Sequence, residues 1–161
     1  MSNLILKYLN LPWTERILLI KTFTLLGAVR LVIIMVPFRH IAAYLGKHME
    51  ESPETQVWDR DFAREIGWAI ERVSSYTPWE SKCLVQAIVG KLLLRQRKLH
   101  NTLYLGVAKN KNNKMIAHAW LRCGTDVVTG ACGGIEDFTV VAKFADLREE
   151  TNCFECDMWD F

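Results

Sequence analysis

Apolar positions recur at helical spacing through the first half of the chain and at alternating spacing through the second. From Pro12-Trp13-Thr14-Glu15 onward, Ile17, Leu18, Phe23, Leu25, Leu26 and Val29 predict a long helix within residues 12–48, with Pro37 expected to break or kink it. The polar run Glu50-Glu51-Ser52-Pro53-Glu54-Thr55 reads as a linker, so residues 1–50 form an N-terminal helical region and residues 56–161 the remaining core. Phe62, Ile66, Ala69, Ile70 and Val73, spaced by three and four, predict a second helix. Thr77-Pro78-Trp79-Glu80 reads as a helix start, with a capping threonine, proline at the first helical position and a glutamate able to reach back. The helix it opens carries Cys83 and runs to about Lys98.

Beyond Lys98 the period changes to two. Thr102–Lys109 and Met115–Arg122 predict strands joined by the turn at residues 110–113. A turn at Cys123-Gly124-Thr125 leads into Asp126–Thr129, followed by a glycine-rich loop and the strand Phe138–Phe144. The whole reads as an α+β fold in which a Cys-bearing helix packs on an antiparallel sheet of about four strands.

Composition narrows the setting. A chain of 161 residues can form one compact domain with its own core. The net charge of +2 is too weak for a nucleic-acid footprint. Five cysteines, an odd number at irregular spacing, and an N-terminus without a secretory pattern point to free thiols in a reducing, cytoplasmic setting. Arg30 divides the most apolar segment into Thr22–Val29 and Leu31–Phe38, whereas a bilayer crossing takes about 20 mostly apolar residues, so a buried helix is expected there. Leu31–Val36 is apolar on every face, and contact with a membrane surface or a partner is its alternative use.

Chemistry gathers at Cys83 and His118. A thiol becomes a nucleophile when ionised, and a helix N-terminus or an imidazole promotes that. With Thr77 as the cap Cys83 falls in the second turn, and with Ser81 in the first. His118 lies between the small residues Ala117 and Ala119, with Trp120 on the same face of its strand. A third residue should accept a proton from the far ring nitrogen. Asp126 is the nearest carboxylate, Glu136 and Asp137 are alternatives, and the residue facing His118 across a hairpin at Gly124-Thr125 is about Gly130. Taken singly, each has a plainer explanation: a buried thiol, a core histidine, a packing tryptophan, a turn aspartate. Cys153-Phe154-Glu155-Cys156 has the gap of a zinc or redox pair, but Cys123 and Cys132 are spaced unlike a second ligand pair, and ordinary thiols in an acidic tail are expected, with no metal or other cofactor.

Four ordered blocks change the weighting. Pro78-Trp79-Glu80-Ser81-Lys82-Cys83-Leu84-Val85-Gln86-Ala87, Leu103-Tyr104-Leu105-Gly106-Val107, Ala117-His118-Ala119-Trp120-Leu121 and Phe138-Thr139-Val140-Val141 resemble the B2 proteins of lasso-peptide biosynthesis. These are transglutaminase-like, papain-related cysteine peptidases that remove a leader peptide. The resemblance implies Cys83 as nucleophile, His118 as general base and Asp126, more loosely matched, as the orienting acid. A dyad assisted by a backbone carbonyl or by Asp137 stays open. It also implies a lasso precursor peptide as substrate, a separate leader-binding recognition protein of the B1 type, and the lasso cyclase as a further candidate partner. A transglutaminase-type acyl transferase and a non-catalytic peptide-binding scaffold are the competing functions.

Overall fold

The computed structural model of the chain describes residues 11–54, 60–131 and 134–147. Helix α1 (Trp13–Met35) turns Leu19, Thr22, Leu26 and Val29 inward, a stripe spaced by three and four that packs on the helices Arg60–Ser74 and Cys83–Gln96. The extended backbone at Val36 ends it, and a short helix α2 (Phe38–Ala42) restarts after Pro37. Helix α3 (Arg60–Ser74) buries Ala63, Ile66, Ala69, Ile70 and Val73, and helix α4 (Cys83–Gln96) buries Val85, Ala87–Val89 and Leu93-Leu94.

Three expectations for the N-terminal half change. Leu31, Val32, Ile34 and Met35 are exposed rather than buried, Met35 by 78%. A segment apolar on every side carries no signal for which face meets the core, and one side of a helical cylinder suffices for that contact. Arg30 does not divide the segment either. It lies inside a 23-residue helix with an 18-residue stretch of mean hydropathy 2.2, long and apolar enough to cross a membrane by length and composition, and its guanidinium pairs with Glu80 at 3.3 Å. The polar run after it is also less loose than a linker, since Ser52 is buried, its N–H donates to Thr102 Oγ1 at 2.8 Å and its carbonyl accepts from Arg122 at 2.8 Å.

The sheet is antiparallel throughout, in the order β1 (Lys47–His48), β5 (Thr139–Asp146), β2 (Asn101–Lys109), β3 (Met115–Cys123), β4 (Asp126–Thr129). Four of these strands match the alternating segments. The fifth, β1, is two residues long, too short for any alternation to reveal. The β2–β3 turn is held by Asn110 Oδ1, which accepts the N–H groups of Asn112 and Lys114, while Asn113 takes a left-handed φ of 57°. Helices α1, α3 and α4 share one hydrophobic core with the sheet.

The far end of α4 is fastened by charge. Lys91, 1% exposed, donates from Nζ to Asn101 Oδ1 at 2.9 Å and the Phe144 carbonyl at 3.1 Å, and pairs with Asp146 at 3.1 Å. Burial pushes its ammonium down to about 8, against the pull of Asp146 in the other direction.

Candidate active site

Helix α4 begins at Cys83, later than the Thr77 start. Thr77 does not cap. Its hydroxyl lies 2.9 Å from Ser81 Oγ and within hydrogen-bond distance of the Ser74 and Trp79 carbonyls, closing residues 77–81 into a loop of their own. That loop is pinned to α1: Trp79 packs at a tilt against Phe23 with ring centroids 5.1 Å apart, and a Cβ on Gly27 would meet the Trp79 ring at 3.1 Å. Local capping signals lost to this tertiary contact.

The outcome matters for the thiol. Lys82 is the cap residue, and no side chain caps the helix. The first intrahelical bond runs from the Gln86 N–H to the Lys82 carbonyl at 3.1 Å, so the N–H groups of Cys83, Leu84 and Val85 precede the hydrogen-bonded ladder. Cys83 occupies the first helical position, where the positive end of the helix dipole favours negative charge on sulfur or on an adjacent oxygen. Gln86 folds back over this turn, its Nε2 donating to the Ser81 carbonyl at 2.8 Å.

His118 reaches the same place from the sheet. Strand β4 pairs with β3 only as far as Leu121↔Thr129, with a bulge between Leu121 and Arg122, so β3 has an open edge at His118. There Gly130 turns the chain with a left-handed φ of 79°, in a space where a Cβ would lie 2.6 Å from the Ala119 carbonyl oxygen. The Gly130 carbonyl lies 2.9 Å from His118 Nε2. A carbonyl only accepts, so Nε2 carries the proton and Nδ1 is left with the lone pair. The ring also packs against Trp120 at 6.1 Å and Phe138 at 5.3 Å, which touch each other at 6.4 Å, and Trp120 in turn stacks on Tyr104.

Cys83, Gln86, His118 and Gly130 open onto one cleft of about 560 Å³. Its opposite wall is α3, through Arg64, Gly67, Trp68 and Glu71. These follow helical spacing of three and four, a face that the sequence shows but that the core pattern overshadowed. Gly67 lets α3 and β4 touch, for a Cβ there would stand 2.5 Å from the Val128 carbonyl oxygen.

The structure does not bring Asp126 to this cleft. Asp126 pairs across the sheet with Cys123, five residues along β3 from His118, or roughly 17 Å of strand. Its carboxylate is engaged by Arg60, with Nη2 donating to Oδ1 at 2.7 Å, and that guanidinium holds the carboxyl below the usual range. Where an orienting acid was expected, His118 has a backbone carbonyl. Glu136 and Asp137 lie in the 3-10 turn Ile135–Asp137, and neither has a hydrogen bond to the imidazole among the described residues. Cys132, Cys153 and Cys156 lie outside the described residues. Of the two described thiols, Cys123 is buried, donates to the His100 carbonyl at 3.2 Å and is pushed up to about 11 by desolvation, aided by Asp126. The described residues contain no group of three or more His, Cys, Asp or Glu side chains that could hold a metal.

Comparison with known proteins gives no match among curated proteins or solved structures. A family model does match, that of the transglutaminase-like superfamily, over residues 32–143. This span includes α3, α4, the cleft and strands β2–β4, well over half of the chain, and the chain therefore belongs to the transglutaminase-like superfamily.

Proposed function

We propose that this protein is a cysteine peptidase that removes the leader from a ribosomally made lasso precursor peptide. The observation that carries the reading is the shared cleft: a thiol at an uncapped helix N-terminus and an imidazole whose tautomer leaves Nδ1 free as a base. Cys83 attacks the scissile carbonyl as the thiolate, the N–H groups at the start of α4 receive the negative charge that develops on oxygen, and His118 returns a proton to the leaving amine. Water then hydrolyses the thioester. The Gly130 carbonyl fills the orienting role, so the chemistry runs on a dyad and Asp126 is dispensable. The substrate class comes from the four ordered sequence blocks, and a separate leader-binding protein supplies recognition.

The test is mass spectrometry of a lasso precursor peptide incubated with this protein and a leader-binding partner. Release of the leader by the wild type and by Asp126→Asn, with none from Cys83→Ala or His118→Ala, is the expected result. Peptide–amine crosslinks without leader release would move the function to acyl transfer, and cleavage surviving in Cys83→Ala would remove it from this site.

A further inference from the structure

Helix α1 is apolar on the side that faces away from the core as well as on the side that faces it. At about 100° per residue, Trp13, Ile17, Ile20, Thr24, Leu31 and Met35 fall within about 60° of one another, opposite the buried stripe of Leu19, Thr22, Leu26 and Val29. All six are exposed, Trp13 by 72%, Ile20 by 58% and Leu31 by 60%. The one hydroxyl among them is turned back on the helix, with Thr24 Oγ1 donating to the Ile20 carbonyl at 3.0 Å. Single exposed apolar residues are ordinary, and a surface helix carries polar and charged side chains on its outer face. An uncharged outer stripe that runs the whole helix, about 35 Å, is instead a contact surface.

Charge identifies the occupant. Between Leu11 and His48, Glu15 is the sole acidic residue, against Arg16, Lys21, Arg30, Arg39 and Lys47. Lys21 borders the stripe, and just past its end Phe38, Arg39 and His40 are exposed together. At the other end stands Trp13, a residue type that settles at the headgroup boundary of a bilayer. A second copy of the chain would bring two basic segments together, whereas an anionic surface neutralises them. We infer that the outer face of α1 binds an anionic phospholipid surface, with the helix lying in the plane of the interface. It does not cross the bilayer, because Thr22 and Leu26 are fully buried in the core beneath it and would have to be pulled out. The outer stripe enters the boundary of headgroups and acyl chains while the inner stripe stays packed on α3 and α4. This surface is independent of the chemistry at Cys83.

The experiment uses the full chain and co-sedimentation with vesicles of phosphatidylcholine alone or of phosphatidylcholine and phosphatidylglycerol in equal parts. Partitioning onto the mixed vesicles should exceed that onto phosphatidylcholine by about tenfold or more and should fall as salt is raised. Leu31→Ser combined with Met35→Ser should lower it by about tenfold or more. Arg39→Glu should lower binding to the mixed vesicles by about fivefold or more and leave the weak binding to phosphatidylcholine within about twofold. All these side chains are exposed, so each variant should keep the thermal midpoint of the wild type, which separates lost binding from unfolding. If the double variant fails to fold, Trp13→Ser decides by the same criterion. No binding to the mixed vesicles, or binding that the double variant leaves unchanged, overturns the inference. A dimer in analytical ultracentrifugation that the double variant dissolves assigns the stripe to a second copy of the chain and overturns it as well.

Discussion

Cys83 and Cys123 are the same side chain in two surroundings. Cys83 is half-buried at the first position of α4, beside N–H groups outside the helical ladder, and it faces a cleft shared with an imidazole. Cys123 ends β3, is 1% exposed, gives its hydrogen to the His100 carbonyl, and would have to ionise in a desolvated site next to Asp126. Reactivity therefore depends less on having a thiol than on which groups around it remain without partners. Lys91 repeats the lesson at the other end of α4: it is buried and displaced in its titration, yet Asn101, the Phe144 carbonyl and Asp146 occupy its ammonium, and it fastens helix to sheet.

The contrast can be broken most severely at Cys83. Cys83→Ala should lower peptide cleavage by at least about a thousandfold while Cys123→Ala stays within about threefold of wild type, measured as turnover of one precursor peptide. Equal losses would erase the distinction between the two thiols.

Next in size is the paired lysine. Asp146→Ala leaves the Lys91 ammonium buried without its carboxylate and should cost about 3–5 kcal/mol in urea unfolding, whereas Lys91→Met should be neutral or stabilising. A small loss from Asp146→Ala would mean that the pair is not fastening α4 to β5.

The same lysine gives a pH signature. Its pKa falls from 10.5 to about 8 on folding, so between those values the unfolded chain binds more protons than the native one. Stability should be lowest, with respect to this group, below pH 8 and should rise toward pH 10.5 by at most about 3 kcal/mol. Lys91→Met should flatten that rise in unfolding midpoints collected across the range.

The smallest effect belongs to Asp126. With its carboxylate on Arg60 at the protein surface, Asp126→Asn should change cleavage by less than about threefold and stability by less than about 1 kcal/mol. A hundredfold loss of turnover would return it to the imidazole.

Much of the fold was legible because periodicity is local. The helix of residues 60–74, the hairpin of β2 and β3, and the strand β5 follow from apolar spacing and turn residues alone. The start of α4 was not legible, since Thr77-Pro78-Trp79-Glu80 satisfies every local rule for a cap and is overruled by Trp79 docking on Gly27 and Phe23, residues some fifty positions away. Cys83 and His118 could be named from the motif blocks. Sequence reasoning points to Asp126 because it counts side chains, while the partner the imidazole has is a backbone carbonyl, which every residue carries and no motif marks. Gly130 was visible as the residue facing His118. Its left-handed turn, which delivers the carbonyl, needed the structure.

The most direct measurement compares the two thiols within one molecule. Wild type and His118→Ala would be treated with limiting iodoacetamide at pH 7.5, and the alkylation rates of Cys83 and Cys123 read by peptide mass spectrometry under native conditions. Cys83 should react at least about a hundredfold faster than Cys123 in the wild type, and His118→Ala should slow Cys83 by about tenfold or more without altering Cys123. Comparable rates for the two cysteines, or a Cys83 rate indifferent to His118, would contradict a thiol–imidazole pair in this cleft.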